Sequence, residues 1–265
     1  MAWAWASQSM LILLRCLILA ALFGWTMLSD PLQGWLFLPL WVLASWLILS
    51  SSLEAARLRR RAWLEQYLLV GSRWHRLLRG GLVMLSWHLL LAALLALFML
   101  VRLLQLESWL WLLLASSLAL LWMLEACLAS ALRDHAKPQL RAALTRRLLV
   151  PMAAGVLVVG YLLVMLNLSQ PDMRGMGLAQ ALAANLPGQY SSLPLLSLLQ
   201  RSYQLFDITL QWSLQNALGD RDASGTLGVL AWSLLLVGGG AFIWAWTRLL
   251  VGVATLRART DMATD

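Results

Sequence analysis

Residues 81–131 read GLVMLSWHLLLAALLALFMLVRLLQLESWLWLLLASSLALLWMLEACLASA. Two apolar runs, 81–101 and 108–131, flank a short break that begins at Arg102 and ends at Glu107, and His88 and Glu125 are the only acidic or basic side chains inside the runs. A bilayer core about 30 Å thick takes roughly 20 helical residues to cross, which is the length of each run. Lipid offers no partner to backbone N–H and C=O groups, so a spanning segment is a helix or part of a closed barrel. The polar/apolar alternation that a barrel strand needs is missing, and the stretch predicts two spanning helices joined by a tight turn.

Working outward, four further windows of similar length stand at 10–28, 33–52, 148–168 and 226–247. The expected fold is an all-α integral membrane protein with six transmembrane helices, forming a single transmembrane domain over 1–265. Ser29-Asp30-Pro31 marks the turn between the first two helices, and Pro39 is placed to kink the second. The first window lacks a preceding basic residue, contains Arg15 and has no small-x-small cleavage site, so it reads as a retained helix rather than a signal peptide.

The whole chain agrees with these windows. It is 61% hydrophobic and 12% charged, with a mean hydropathy of +0.75, well outside the range of water-soluble domains. A net charge of +8 would point to nucleic acid on a soluble domain, but here the basic residues lie between apolar runs and read as orientation signals that touch anionic lipids. The tryptophans gather near the run ends, as interfacial anchors do. Cys16 and Cys127 each sit inside an apolar run and are expected to be small buried residues.

Arginine placement gives the orientation. The 54–80 connection carries Arg57, Arg59, Arg60, Arg61, Arg73, Arg76 and Arg79, and the 132–147 connection carries Arg133, Lys137, Arg141, Arg146 and Arg147. Positive loops stay inside, so both connections are expected to be cytoplasmic, as are the two termini, with Arg248, Arg257 and Arg259 in the C-terminal tail. The expected location is the cell inner membrane.

The long 169–225 connection balances Arg174, Arg201 and Arg221 against Asp172, Asp207, Asp220 and Asp222 and falls on the extracytoplasmic side. Proline and glycine break it into short pieces. Within it, Leu195, Leu199, Tyr203, Phe206, Leu210, Leu214 and Ala217 recur at helical spacing while Gln200, Gln204, Asp207, Gln211 and Gln215 take the rest of the wheel. This predicts an amphipathic helix on, or dipping into, the outer leaflet.

The 54–80 connection has the most internal structure. Leu64-Glu65-Gln66-Tyr67-Leu68-Leu69 is followed by Ser72-Arg73-Trp74, and a helix starts near Gly80. Such a short apolar helix flanked by charge either docks on a cytoplasmic partner or forms a solvated loop whose arginines set topology. The segment resembles the coupling segment between helices two and three in the membrane subunits of type-2 ABC exporters, which also have six helices, both ends inside and short helices between the last two spans. Family members begin with a basic amphipathic helix, whereas residues 2–9 here carry no charge. The resemblance implies a permease subunit that works as a homodimer or heterodimer with a separate cytoplasmic ATPase. Its partner-coupling residues would be Arg59, Arg60, Arg61, Glu65, Leu68, Arg73 and Trp74.

Ionisable groups inside spans are costly and mark candidate sites. Arg15, His88 and Glu125 all lie roughly 8–12 Å from the cytoplasmic ends of their spans at 1.5 Å per residue. Either they meet, with Glu125 paired to Arg15 or His88, or each is satisfied locally, Arg15 by reaching the headgroups. Gly155, Gly160, Gly225, Gly228 and Gly238-Gly239-Gly240 allow close helix contact, at a dimer seam, at a hinge or in ordinary packing.

No zinc helix, nucleophile elbow or phosphate loop occurs, and His75, His88 and His135 are scattered. The chain is therefore expected to be no enzyme, with no catalytic residues, metal or cofactor, and any ATP hydrolysis would fall to another chain. Two readings remain: the exporter subunit, or a non-catalytic scaffold or assembly subunit of a larger inner-membrane complex.

Overall fold

Each apolar window forms a helix because hydrocarbon leaves the backbone no other way to satisfy itself. In the computed structural model, which describes residues 2–67, 82–167, 171–186, 191, 193–219 and 226–264, no strand occurs among the described residues. The helices are α1 (Ala2–Thr26), α2 (Asp30–Tyr67), α3 (Leu82–Leu103), α4 (Leu110–Ala131), α5 (Pro138–Asn167), α6 (Leu178–Asn185), α7 (Pro194–Gly219) and α8 (Thr226–Thr264). Six of them, α1 to α5 and α8, are long and apolar enough to cross a membrane.

The helices pass the expected window ends where sequence outside the windows still favours a helix. α2 has 38 residues, about 57 Å at 1.5 Å per residue, so it runs well past a core of about 30 Å. It continues through Pro39, and α5 through Pro151, although each proline removes a backbone donor. The turn between α1 and α2 falls at 27–29, earlier than the expected Ser29-Asp30-Pro31, because Asp30 and Pro31 already form the first turn of α2; it is closed by the Trp25 indole donating to the Gln33 carbonyl (3.0 Å) and the Gln33 amide donating to the Thr26 carbonyl (3.0 Å).

α8 is the central post of the bundle and packs on α1, α2, α3, α5 and α7. Its buried residues run from Phe242 through Trp246 and Leu250 to Ala254. Arg248, expected in the tail beyond a span at 226–247, therefore stands within the packed bundle. The α2–α8 crossing is close: a Cβ at Gly252 would fall on the backbone of Leu47. Beside it, the Ser50 and Thr255 hydroxyls bond each other at 2.7 Å. Such small-residue contacts replace the hydrophobic effect, which gives no net drive between helices in lipid.

The bundle's outer surface suits a hydrocarbon solvent. Trp35 is 82% exposed, and Leu13, Leu17, Leu112 and Val237 are also mostly exposed. In water such surface would be an aggregation liability, whereas in lipid it is ordinary. Cys16 and Cys127 belong to this surface. The expectation that they are buried fails because a helix in lipid turns apolar residues outward as readily as inward.

The predicted amphipathic helix is α7, but its polar face does not lie bare. Gln215 accepts from the Met173 backbone N–H (2.7 Å) and donates to the Pro171 carbonyl (2.9 Å). Asn216 accepts from the Gly175 N–H (3.2 Å), and the Trp212 indole donates to the Met176 carbonyl (2.7 Å). Gly175 holds a positive φ of 73°, which favours glycine and turns the chain there. Met173, Ala181 and Ile208 form a small second core. Residues 171–219 thus include a folded cap that α7 docks onto α8 and α3.

Candidate functional site

Among the described residues three polar clusters interrupt the bundle, and buried charges must find partners. The first joins α1 and α4. Arg15, only 2% exposed, donates from Nη1 to Glu125 Oε2 at 3.1 Å and from Nε to the Leu250 carbonyl at 3.3 Å, while its Nη2 is buried without a partner. Of the two partners that the shared depth allowed Glu125, this is Arg15, which is paired rather than reaching for headgroups. His88 is half-buried on α3, whose packing neighbours include α2, α7 and α8.

The second cluster lies where α2, α5 and α8 meet, at the end of the bundle toward the Arg-rich loops. Arg146 grips Glu54 with two bonds, Nη2 to Oε1 at 2.6 Å and Nε to Oε2 at 3.0 Å, a fork geometry that holds two helices in register. Arg248 donates from Nη1 to Ser52 Oγ at 2.9 Å, and its guanidinium lies 5.1 Å from the ring centre of Trp244. Glu54, Arg146, Arg147, Trp244 and Arg248 line a cavity of about 170 Å³. Glu54, Arg146 and Arg248 went unremarked as a unit because they fell outside the expected spans.

The third cluster is at the opposite end. Arg102, expected in an outside turn, is the buried end of α3. It donates from Nη2 to the Tyr161 hydroxyl at 3.0 Å and lies 5.3 Å from the Tyr203 ring centre. Burial pushes both the Tyr203 phenol and the Asp207 carboxyl above their ordinary values, with Arg102 pulling each back part of the way. Asp207 also accepts from the Gln211 amide at 3.1 Å. The one available signal was Tyr203 and Asp207 one turn apart on the amphipathic pattern.

Of the expected coupling residues, Arg59, Arg60, Arg61 and Glu65 ride on the last turns of α2. Leu68, Arg73 and Trp74 lie outside the described residues, as does His75. Among the described residues no group of three His, Cys, Asp or Glu side chains is placed to hold a metal.

No protein-family model matches the chain, and no curated protein and no solved structure matches it.

Proposed function

We propose that this chain is the permease subunit of an ATP-driven exporter, coupled through residues 57–79 to a separate cytoplasmic ATPase and paired in the membrane with a second copy or a homologue. The observation that carries this reading is the continuity of α2. Arg59, Arg60, Arg61 and Glu65 stand on the same unbroken helix as a membrane span, and Glu54, just before them, is clasped by Arg146 of α5. A push on the arginine-bearing end of α2 therefore reaches α5 through the ion pair and α8 through Ser50 and Ser52. That is what a coupling element requires: a rigid lever with bonded contacts to the helices it has to move. The resemblance to type-2 exporters would make the transported substrate amphipathic or polymeric.

The test is copurification from native membranes under gentle extraction. A nucleotide-binding protein should accompany the chain and be lost when Arg59→Glu, Arg60→Glu and Arg61→Glu are combined. Recovery of other membrane proteins with no ATPase would favour the scaffold reading and overturn this one.

A further inference from the structure

Two cavities along α5 and α8 share a wall. The first is the cavity of about 170 Å³ lined by Glu54, Arg146, Arg147 and Arg248, and the second is a groove of about 580 Å³ lined by Leu95, Ala154, Gly155, Val158, Val237 and Gly240. Pro151 and Trp244 line both. One cleft thus begins among arginines at the end near the Arg-rich loops and continues as an apolar channel toward mid-bundle.

We propose that this cleft binds one anionic phospholipid, its phosphate at Arg147 and Arg248 and an acyl chain along Gly155 and Gly240. Three features select that occupant. The first is charge: the cavity wall carries three guanidinium groups and one carboxylate, so it is net positive, and that carboxylate, Glu54, is held by Arg146 through two bonds. Guanidinium groups match phosphate oxygens in geometry, and the Ser52 and Trp244 contacts hold Arg248 in place before the ligand arrives.

The second is length. From Arg147 to Val158 α5 rises about 16 Å at 1.5 Å per residue. That is close to half of a hydrocarbon core about 30 Å thick, hence the depth of one leaflet. A soluble anion would fill the polar cavity and leave the groove unused.

The third is open space at two glycines. A Cβ built at Gly155 or Gly240 meets nothing within 4 Å, whereas at Gly239, the next residue along, it would sit 2.6 Å from the Tyr161 ring. Gly239 is glycine for helix packing; Gly155 and Gly240 leave a smooth strip of backbone beside the groove, where a chain of methylenes can lie. This inference is independent of the exporter reading and holds equally for a scaffold.

Native mass spectrometry of the full chain, purified in mild detergent and stripped of lipid, tests it against phosphatidylglycerol, phosphatidylcholine with the same chains, and inorganic phosphate. One phosphatidylglycerol per chain should be retained in preference to phosphatidylcholine, with inorganic phosphate a poor competitor. Arg147→Gln, at an exposed position whose loss does not threaten the fold, should weaken retention about tenfold, the effect of one charge-assisted contact. Gly155→Leu with Gly240→Leu, side chains that project into open space, should abolish retention while leaving the unfolding temperature of the lipid-free protein unchanged or higher. Equal retention of phosphatidylcholine, full competition by inorganic phosphate, or undiminished binding to a folded leucine variant would each overturn the assignment.

Discussion

Arg102 of α3 reaches Tyr161 of α5 with a hydrogen bond of 3.0 Å, and the same guanidinium lies 5.3 Å from the ring centre of Tyr203 on the cap helix α7. One buried cation thereby touches both the bundle and its cap. Asp207, a turn further along α7, lies in its field.

Docking of α7 should depend on pH through Asp207. Burial raises its carboxyl pKa above the ordinary value near 3.8, and the attraction of Arg102 offsets only part of that. The docked state therefore holds the proton to higher pH than the undocked state. A raised carboxyl contributes most below the undocked value, and its contribution is lost as pH rises through the docked one. Protease protection of the 171–219 region should be greatest at the acid end and fall as pH rises, while Asp207→Asn should flatten the profile. A wild-type profile that rises with pH would contradict the assignment.

The Arg15–Glu125 pair should behave as a buried pair does, with half a pair worse than none. Glu125→Gln leaves a cation 2% exposed without its countercharge, which costs about 3–5 kcal/mol in buried settings. Glu125 is itself 28% exposed at its side chain, so the lower end of that range applies here. Arg15→Met combined with Glu125→Leu removes both charges and should be less destabilised than Glu125→Gln alone. Thermal unfolding in detergent measures both. Equal losses would mean that the pair contributes little beyond packing.

What could be read in the sequence follows from the solvent. Apolar windows of bilayer length overlap all six candidate spans, because hydrocarbon penalises an unpaired backbone wherever it occurs. The last window was set too early: the stretch of α8 long and apolar enough to cross is Leu236–Arg257 rather than 226–247, and Arg248 inside it is bonded to Ser52 of α2. Depth along a span allowed the Arg15–Glu125 contact but did not choose it over His88 or over local partners. It was not enough for Arg146 and Glu54, which lie on helical extensions assigned to loops, nor for Arg102, whose partners Tyr161 and Tyr203 come from distant parts of the chain. Exposure of the two cysteines was unreadable for the same reason: an apolar helix in lipid shows no polar face to mark its outside.

Glycines within the helices should divide into two classes. At Gly252, alanine would drive a methyl into the Leu47 backbone and force α2 and α8 apart, a loss of about 1–3 kcal/mol of the kind that overpacking brings. At Gly155 and Gly240, a Cβ meets open space, so alanine should stabilise by up to about 1 kcal/mol through helix propensity alone. Unfolding temperatures of the three single variants, each stripped of lipid, should separate in sign. A destabilised Gly240→Ala would mean that something covers that strip.

Six crossings with both Arg-rich connections inside require residues 65 and 201 to lie on opposite sides of the membrane, since α3, α4 and α5 separate them. The charge asymmetry agrees: the 54–80 connection is strongly positive, whereas in 169–225 Asp172, Asp207, Asp220 and Asp222 offset its arginines. Cys16 and Cys127 are exposed and would be labelled themselves, so each needs replacement first. Single cysteines at Glu65 and Arg201 should then react differently with a membrane-impermeant maleimide on intact cells: Arg201→Cys labels at once, and Glu65→Cys only after permeabilisation. Labelling of both from outside would leave an even number of crossings between them, remove one of α3 to α5 from the membrane, and place the arginines of α2 where no cytoplasmic ATPase can reach them.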